Sequence, residues 1–374
     1  MDKQRLLDTF LQLVRIDSPS NHEAAVAAYC RKALQAAGCT VTFDDTRELT
    51  GSDTGNLLAE LPGTAPGKLY FSAHMDTVVP GEGIEPIVMD GIISARGETI
   101  LGADDKVGIA AILELVRTLV EGETPYPTVG ILLTVGEELE LRGAKAMSGA
   151  DFAKDPCFVL DSDGKPGIVT IGAPTHRSFV ATFTGKAAHA GVRPEAGTSA
   201  IECAAAAIVA LQLGRLDEKT TANVGTIHGG LADNIVAETC TITGEFRSLD
   251  VERIAQVESQ IRQALEAAVA GRDAQVACEW ATSFHGFLLN EDDVLVQLAL
   301  RVARTLGLEA QTALTGGGSD ANVFNRLGLR AVVLGTGMQA IHSKQEFLAV
   351  EDLQNLAELV IALTYAYDYA TIGS

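Results

Sequence analysis

Three apolar segments of this chain run straight into acidic or imidazole side chains, and this pattern limits its fold more than any other feature. Lys68-Leu69-Tyr70-Phe71 leads into Ser72-Ala73-His74-Met75-Asp76. Residues 128–135 form a nearly continuous apolar run that ends in Gly136-Glu137-Glu138, and residues 157–160 end in Asp161. Short runs of this kind, bounded by polar turns, read as strands of a sheet buried on both faces. Open α/β sheets keep their sites at the carboxyl ends of such strands. Side chains alternate along a strand, so His-x-Asp sends one imidazole and one carboxylate off the same face. A single solvated strand end supplies a carboxylate cheaply. Three in succession, one with a histidine, predict a site.

The remaining pattern supplies the helices. Leu6, Leu7, Phe10, Leu11 and Val14 recur at helical spacing. Ser20-Asn21-His22-Glu23 reads as a capping box that opens a second helix, closed by Gly38. Gly102-Ala103-Asp104-Asp105-Lys106 stands before a strong helix over 107–120, where two carboxylates would also suit a plain N-cap. Asp90-Gly91 predicts a hairpin turn between 87–89 and 92–95. After Pro174 the texture changes to strand, helix, strand, strand, helix, strand, an α+β module with a four-stranded sheet and two helices. Beyond Phe284 come a helix over 293–306, the turn Gly316-Gly317-Gly318-Ser319-Asp320, a buried strand over 331–334 and a final helix over 353–369. The expected fold is therefore α/β: a central mixed sheet flanked by helices, built from residues 1–175 and 286–374 and interrupted by an inserted α+β domain over 176–285.

Composition excludes several classes. A chain of 374 residues exceeds the usual size of one core, in keeping with two domains. A net charge of −21 argues against nucleic acid or an anionic membrane as partner, since phosphate binding needs a cationic surface. Six scattered cysteines with no Cys-x-x-Cys pair fit thiols in a reducing compartment. The N-terminus lacks a signal-type hydrophobic region and no apolar run is long enough to span a bilayer, so a cytoplasmic location is expected.

The larger domain gathers His74, Asp76, Asp104, Asp105, Glu137, Glu138 and Asp161, with His342 from Ile341-His342-Ser343-Lys344-Gln345-Glu346-Phe347. Two imidazoles with several carboxylates suit a pair of divalent ions sharing a carboxylate. Two metals about 3.5 Å apart polarise a carbonyl and acidify a water between them. Of two adjacent glutamates, one can bind metal while the other stays free as general base. There is no His-Glu-x-x-His and no Gly-x-Ser-x-Gly. Gly316–Asp320 lacks the Gly-Lys-Ser/Thr ending of a phosphate loop.

In order and content these motifs resemble the co-catalytic di-zinc exopeptidases, and within them the peptidase T-like proteins, over essentially the whole chain. The resemblance implies two zinc ions, replaceable by cobalt or manganese. His74 and Asp161 would hold one, Glu138 and His342 the other, with Asp104 bridging them through a cis peptide to Asp105. Asp163 stands two residues from Asp161 and is an alternative ligand. Asp76 would orient His74, and Glu137 would take a proton from the bridging water and return it to the leaving amine. In the insert, which would act as lid and dimerisation domain, His189 resembles the histidine that reaches a partner subunit's site. Asn234 resembles a residue near the substrate, and Arg247 one that binds a substrate carboxylate. A turn cap and a strand-end salt bridge are the bland readings of His189 and Arg247. His228 reads as a sheet residue. The expected activity is hydrolysis of short peptides from the N-terminus by a homodimer. The alternatives are another di-zinc amidohydrolase, an N-acyl-amino-acid deacylase or glutamate-type carboxypeptidase, or a silent peptide-binding relative.

Overall fold

The structure is a computed structural model that describes residues 1–148 and 155–368. The chain divides into two compact units. The first comprises Met1–Gly172, Leu289–Thr315 and Ser319–Ser374, and the second Ala173–Leu288 with Gly316–Gly318. The Tyr369 end of the expected last helix lies outside the described residues; the helix itself runs over Val350–Ala366.

The first unit is built on a mixed sheet, as expected. Its centre is parallel: Lys68–His74 lies between Thr128–Thr134 and Pro156–Ser162, and Arg330–Gly335 continues on the far side of Pro156–Ser162. Leu57–Leu61 and Thr40–Phe43 extend one edge in antiparallel fashion. His74 pairs in register with Thr134, so the two strands stop at the same level. Their carboxyl ends therefore deliver His74, Glu137 and Asp161 to one edge. Burial explains the continuous apolar reading: Phe71, Val129, Ile131, Leu133 and Phe158 have no exposed surface. Phe71 stacks on Phe158 with ring centroids 5.9 Å apart. The helix Ala103–Glu121 is buried along most of its length because it is covered by Lys3–Val14, Ala24–Ala36 and Val350–Ala366.

One glycine in this sheet is dictated by its neighbour. A Cβ on Gly130 would lie 2.3 Å from ring atoms of Tyr70, its partner in the adjacent strand. The Asp90-Gly91 turn joins Glu85–Met89 to Ile92–Arg96, and Phe347–Ala349 adds a third strand to this small sheet. The capping box at Ser20–Glu23 does not form. The helix starts at Ala24, whose N–H is taken by Asp53 Oδ1 at 2.8 Å, because both expected capping side chains are drawn into the site described below.

The second unit is an antiparallel sheet in the order Gly214–Asp217, Thr220–Gly229, Thr239–Ser248, Thr175–Thr184, Gln275–Phe284. The expected four strands thus carry a fifth, short one. It arises because Asp217 Oδ1 accepts the N–H of Lys219 at 2.9 Å and folds the chain back at Glu218-Lys219. The helices Ala200–Ala210 and Val251–Val269 cover one face, burying Phe179, Phe183, Ile242 and Phe246. Among the described residues no helix is long and apolar enough to cross a membrane.

Gly130→Ala is expected to lower the stability of the first unit by about 1–3 kcal/mol, as overpacking does. The penalty should shrink in a Tyr70→Ala background, where the clashing ring is gone. Urea unfolding midpoints of the two single variants and the double variant check this; equal penalties in both backgrounds contradict it.

Candidate metal centre

His74 ends its strand with the imidazole buried and both ring nitrogens engaged. Nε2 lies 3.0 Å from Asp104 Oδ1 and 3.9 Å from Asp161 Oδ1. Nδ1 lies 2.9 Å from the backbone carbonyl of Asp76 and 3.4 Å from its carboxylate. The main-chain carbonyl is thus the nearer group fixing the ring. The Asp76 carboxylate mainly serves another segment. It accepts the N–H of Glu137 at 2.9 Å, the N–H of Glu138 at 3.2 Å and the hydroxyl of Ser20 at 2.7 Å.

Asp104 and Asp105 face opposite ways across a cis peptide bond, with non-helical backbone angles at the start of their helix. Asp105 turns inward, accepting the N–H of His74 at 3.2 Å and of Gly108 at 3.1 Å. Asp104 turns toward the strand ends and divides its two oxygens. Oδ1 meets His74, and Oδ2 lies 3.2 Å from Nε2 of His342. His342, in a left-handed backbone conformation at φ 59°, also lies 2.9 Å from Glu138 Oε1.

The ligand-type atoms of His74, Asp104 and Asp161 lie within 4.8 Å of one another, as do those of Asp104, Glu138 and His342. Two triads therefore share one carboxylate, a donor set of imidazole nitrogens and carboxylate oxygens that fits two divalent ions. A third such group joins His74, Glu137 and Glu138. Asp161, not the exposed Asp163, stands in the cluster.

Burial and neighbouring charges shift the proton affinity of several of these groups. Hydrogen bonds to Asp104 and Glu138 push the His342 imidazole up to about 10. Burial works against the His74 cation, but bonds to Asp104 and Asp76 and the charges of Asp161 and Glu137 carry it well above the usual range. Burial would raise Asp104; the two imidazoles outweigh it and hold it low. Glu137 is pushed well above the carboxylate range by burial first, and then by Asp320, Glu138 and Asp76.

Several participants have no motif of their own in the sequence. Glu23 is fully buried and accepts the N–H of Gly136 at 3.0 Å and the hydroxyl of Ser52 at 2.5 Å, so Gly136, Glu137 and Glu138 hang by three successive amides from Glu23 and Asp76. Asp320 accepts a bond of 2.5 Å from Thr134 Oγ1, keeps its other oxygen buried without a partner, and is raised to about 6, chiefly by burial. Glu346 accepts three amides of the segment that carries Asp104.

His189, Asn234 and Arg247 belong to the second unit. His189 and Asn234 are exposed and lie on adjacent segments, where Ala190 donates its N–H to the carbonyl of Asn234 at 3.0 Å. His189 Nδ1 accepts the N–H of Gly191 at 3.2 Å. Arg247 donates to Glu245 at 2.8 Å and to the carbonyl of Gly316 at 3.0 Å, which ties it to the glycine turn.

Residues 70–366 match the model of the peptidase family M20/M25/M40. The chain is 41% identical over 364 residues to the uncharacterized protein YqjE of Bacillus subtilis, covering 97% of this chain and 98% of that one. A crystal structure of the aminopeptidase PepT from Bacillus cereus superposes with a TM-score of 0.92 at 40% identity, covering 98% of this chain and 99% of that one. A crystal structure of a tripeptidase from Staphylococcus aureus gives a TM-score of 0.95 at 38% identity, with 98% of each chain covered.

Without a cation the imidazoles hold protons against their carboxylates, whereas a ligating imidazole must be neutral. Cation uptake below a pH of about 10, where His342 is protonated, therefore expels protons, and affinity should strengthen as pH rises toward that value. Calorimetric zinc titrations near neutral pH in buffers of different ionisation enthalpy measure the release. Uptake with no proton release would contradict the assignment of these groups.

Proposed function

Because the chain belongs to the peptidase family M20/M25/M40 and is a metallopeptidase, we propose that it is a dinuclear tripeptidase that removes the N-terminal residue from short peptides. The pair of triads sharing Asp104 carries the dinuclear part of this reading, and the likeness to an aminopeptidase PepT and a tripeptidase supports the substrate. His74, Asp104 and Asp161 would hold one ion and Asp104, Glu138 and His342 the other, with zinc suited to so many imidazole and carboxylate donors. When bound, the ions supply Lewis acidity toward the scissile carbonyl and lower the pKa of water.

The protein's own groups do the rest. Glu137 takes the proton of the attacking water on its carboxylate and returns it to the amine that leaves. Its place in one group with His74 and Glu138 puts it beside the ions for both halves of that transfer. The bond from its N–H to Asp76 fixes where the carboxylate starts, which limits the search for a reactive geometry. Arg247 offers a planar cation for the terminal carboxylate of a peptide, and Asn234 a polar contact. His189 would donate a hydrogen bond to the oxyanion in the site of a partner copy. Free thiols in place of disulfides support a cytoplasmic setting: all six cysteines are free, five of them buried and Cys278 half-buried.

The homodimer of this reading would form through the second unit. The strand Thr220–Gly229 pairs with its short outer neighbour only as far as Ala222, which leaves the rest of that edge open. Ile227 on this strand and Leu231 and Ile235 in the segment after it are exposed, Leu231 at 93%. An open edge with apolar side chains is a template for a second chain.

Product analysis by mass spectrometry on free tripeptides, dipeptides and N-acetyl amino acids should give N-terminal residues from free tripeptides, with loss on chelation. Glu137→Gln is expected to lower kcat by about 10²–10⁴ while metal stays bound. Cleavage confined to N-acyl substrates would overturn the tripeptidase assignment, and full activity in Glu137→Gln would remove its role as base. Light scattering should give twice the chain mass; a monomer would overturn the role given to His189.

A further inference from the structure

Asp104 serves both triads, so something must set its place relative to His342, which arrives from a segment more than two hundred residues further along the chain. The Glu346 carboxylate spans that gap. It is 2% exposed. Its Oε2 accepts the N–H groups of Leu101 and Gly102, each at 2.8 Å, and its Oε1 accepts the N–H of Asp104 itself at 3.1 Å. At its other end the residue is locked to the His342 turn. Glu346 donates its N–H to the carbonyl of Ser343 at 3.1 Å, and Ser343 Oγ bonds the carbonyl of Ala340 at 2.6 Å. Gln339 and Phe347 close the base of this turn by exchanging N–H···O bonds at 3.0 and 3.1 Å.

Burying a carboxylate is unfavourable unless its oxygens are satisfied, and here backbone amides do so. Left-handed backbone at Gly102, φ 69°, turns neighbouring amides toward one point. That concavity is filled by a side chain four residues after a ligand histidine, and one of its three amides is that of the shared ligand. The hydrogen bonds of the Glu346 carboxylate go to backbone N–H groups. The bonds of Glu346 link the backbone segments of the two ligands, from which Asp104 Oδ2 and His342 Nε2 meet at 3.2 Å.

We propose that Glu346 is a positioning residue that holds the Asp104 segment and the His342 turn at the spacing two metal ions require. This rests on the dinuclear reading given above. Glutamine at this position has nearly the same shape but offers one acceptor oxygen, and its amide donors would face backbone N–H groups. Loss of such supporting partners typically weakens metal affinity by about 10–100-fold.

The test is titration of the metal-free full-length protein with Co²⁺, followed by calorimetry and by visible absorption. Wild type should take up two equivalents. In Glu346→Gln the weaker equivalent should bind at least tenfold less tightly, and the cobalt spectrum at saturation should change. A residue that only stabilises the fold would lower the melting temperature and leave that spectrum alone. An unchanged isotherm and spectrum overturn the inference. Should Glu346→Gln fail to fold, Glu346→Asp keeps the charge and shortens the reach, and wild-type cobalt binding in it overturns the inference equally. Fewer than two equivalents in wild type would remove the dinuclear reading and this inference with it. Two equivalents in wild type without tripeptide cleavage would overturn only the tripeptidase assignment, leaving Glu346 to be judged on cobalt binding.

Discussion

Carboxylates repel one another, and burying them together is tolerable only if each oxygen finds a proton, a cation or an amide. The carboxyl edge of the first unit's sheet brings Asp76, Asp104, Asp105, Glu137 and Asp161 into buried surroundings, with Glu138 beside them. The structure meets this demand in two ways. Asp104, Glu138 and Asp161 face the imidazoles of His74 and His342, whereas Asp76, Asp105, Glu23 and Glu346 end on backbone N–H groups. The first set can exchange protons for cations. The second set cannot move without unmaking the strand ends that present the first.

This division also marks what the sequence reveals. Fold class is legible because buried parallel strands are continuously apolar and because helix and strand periods differ. His74, Glu137, Glu138 and Asp161 are legible because each follows an apolar run, and Asp104 because it follows a glycine before a helix, where a charged group has few structural reasons to be. His342 is legible through the family resemblance of its segment. Glu346 and Glu23 are not legible in the same way. Their partners are main-chain amides, which carry no residue identity, and the bond from Leu101 to Glu346 spans 245 positions. Ser20 and Glu23 show the error that results: their spacing fits a helix cap, yet Ser20 bonds Asp76 and Glu23 bonds Gly136. Local propensity yields to a buried acceptor in need of donors. The choice between Asp161 and Asp163 likewise needed coordinates, since two residues along a strand end share a face and only depth separates them.

The two units divide the work differently. The first has its polar groups deep and densely bonded, the setting in which a reactive geometry is held to a few tenths of an ångström. The second exposes His189 and Asn234 on loops and keeps an open strand edge, which suits recognition of other molecules.

The sharing of Asp104 by both triads bears on how a mixed-metal enzyme could be prepared. The affinity change that the first ion causes for the second must equal, by linkage, the change the second causes for the first. At equilibrium a zinc–cobalt protein would therefore reach the same distribution whichever salt is added first, and only slow exchange could preserve a memory of the order. Only a difference that depends on the order of addition would thus be kinetic, and its lifetime would report how slowly ions exchange at a site where two triads depend on one carboxylate.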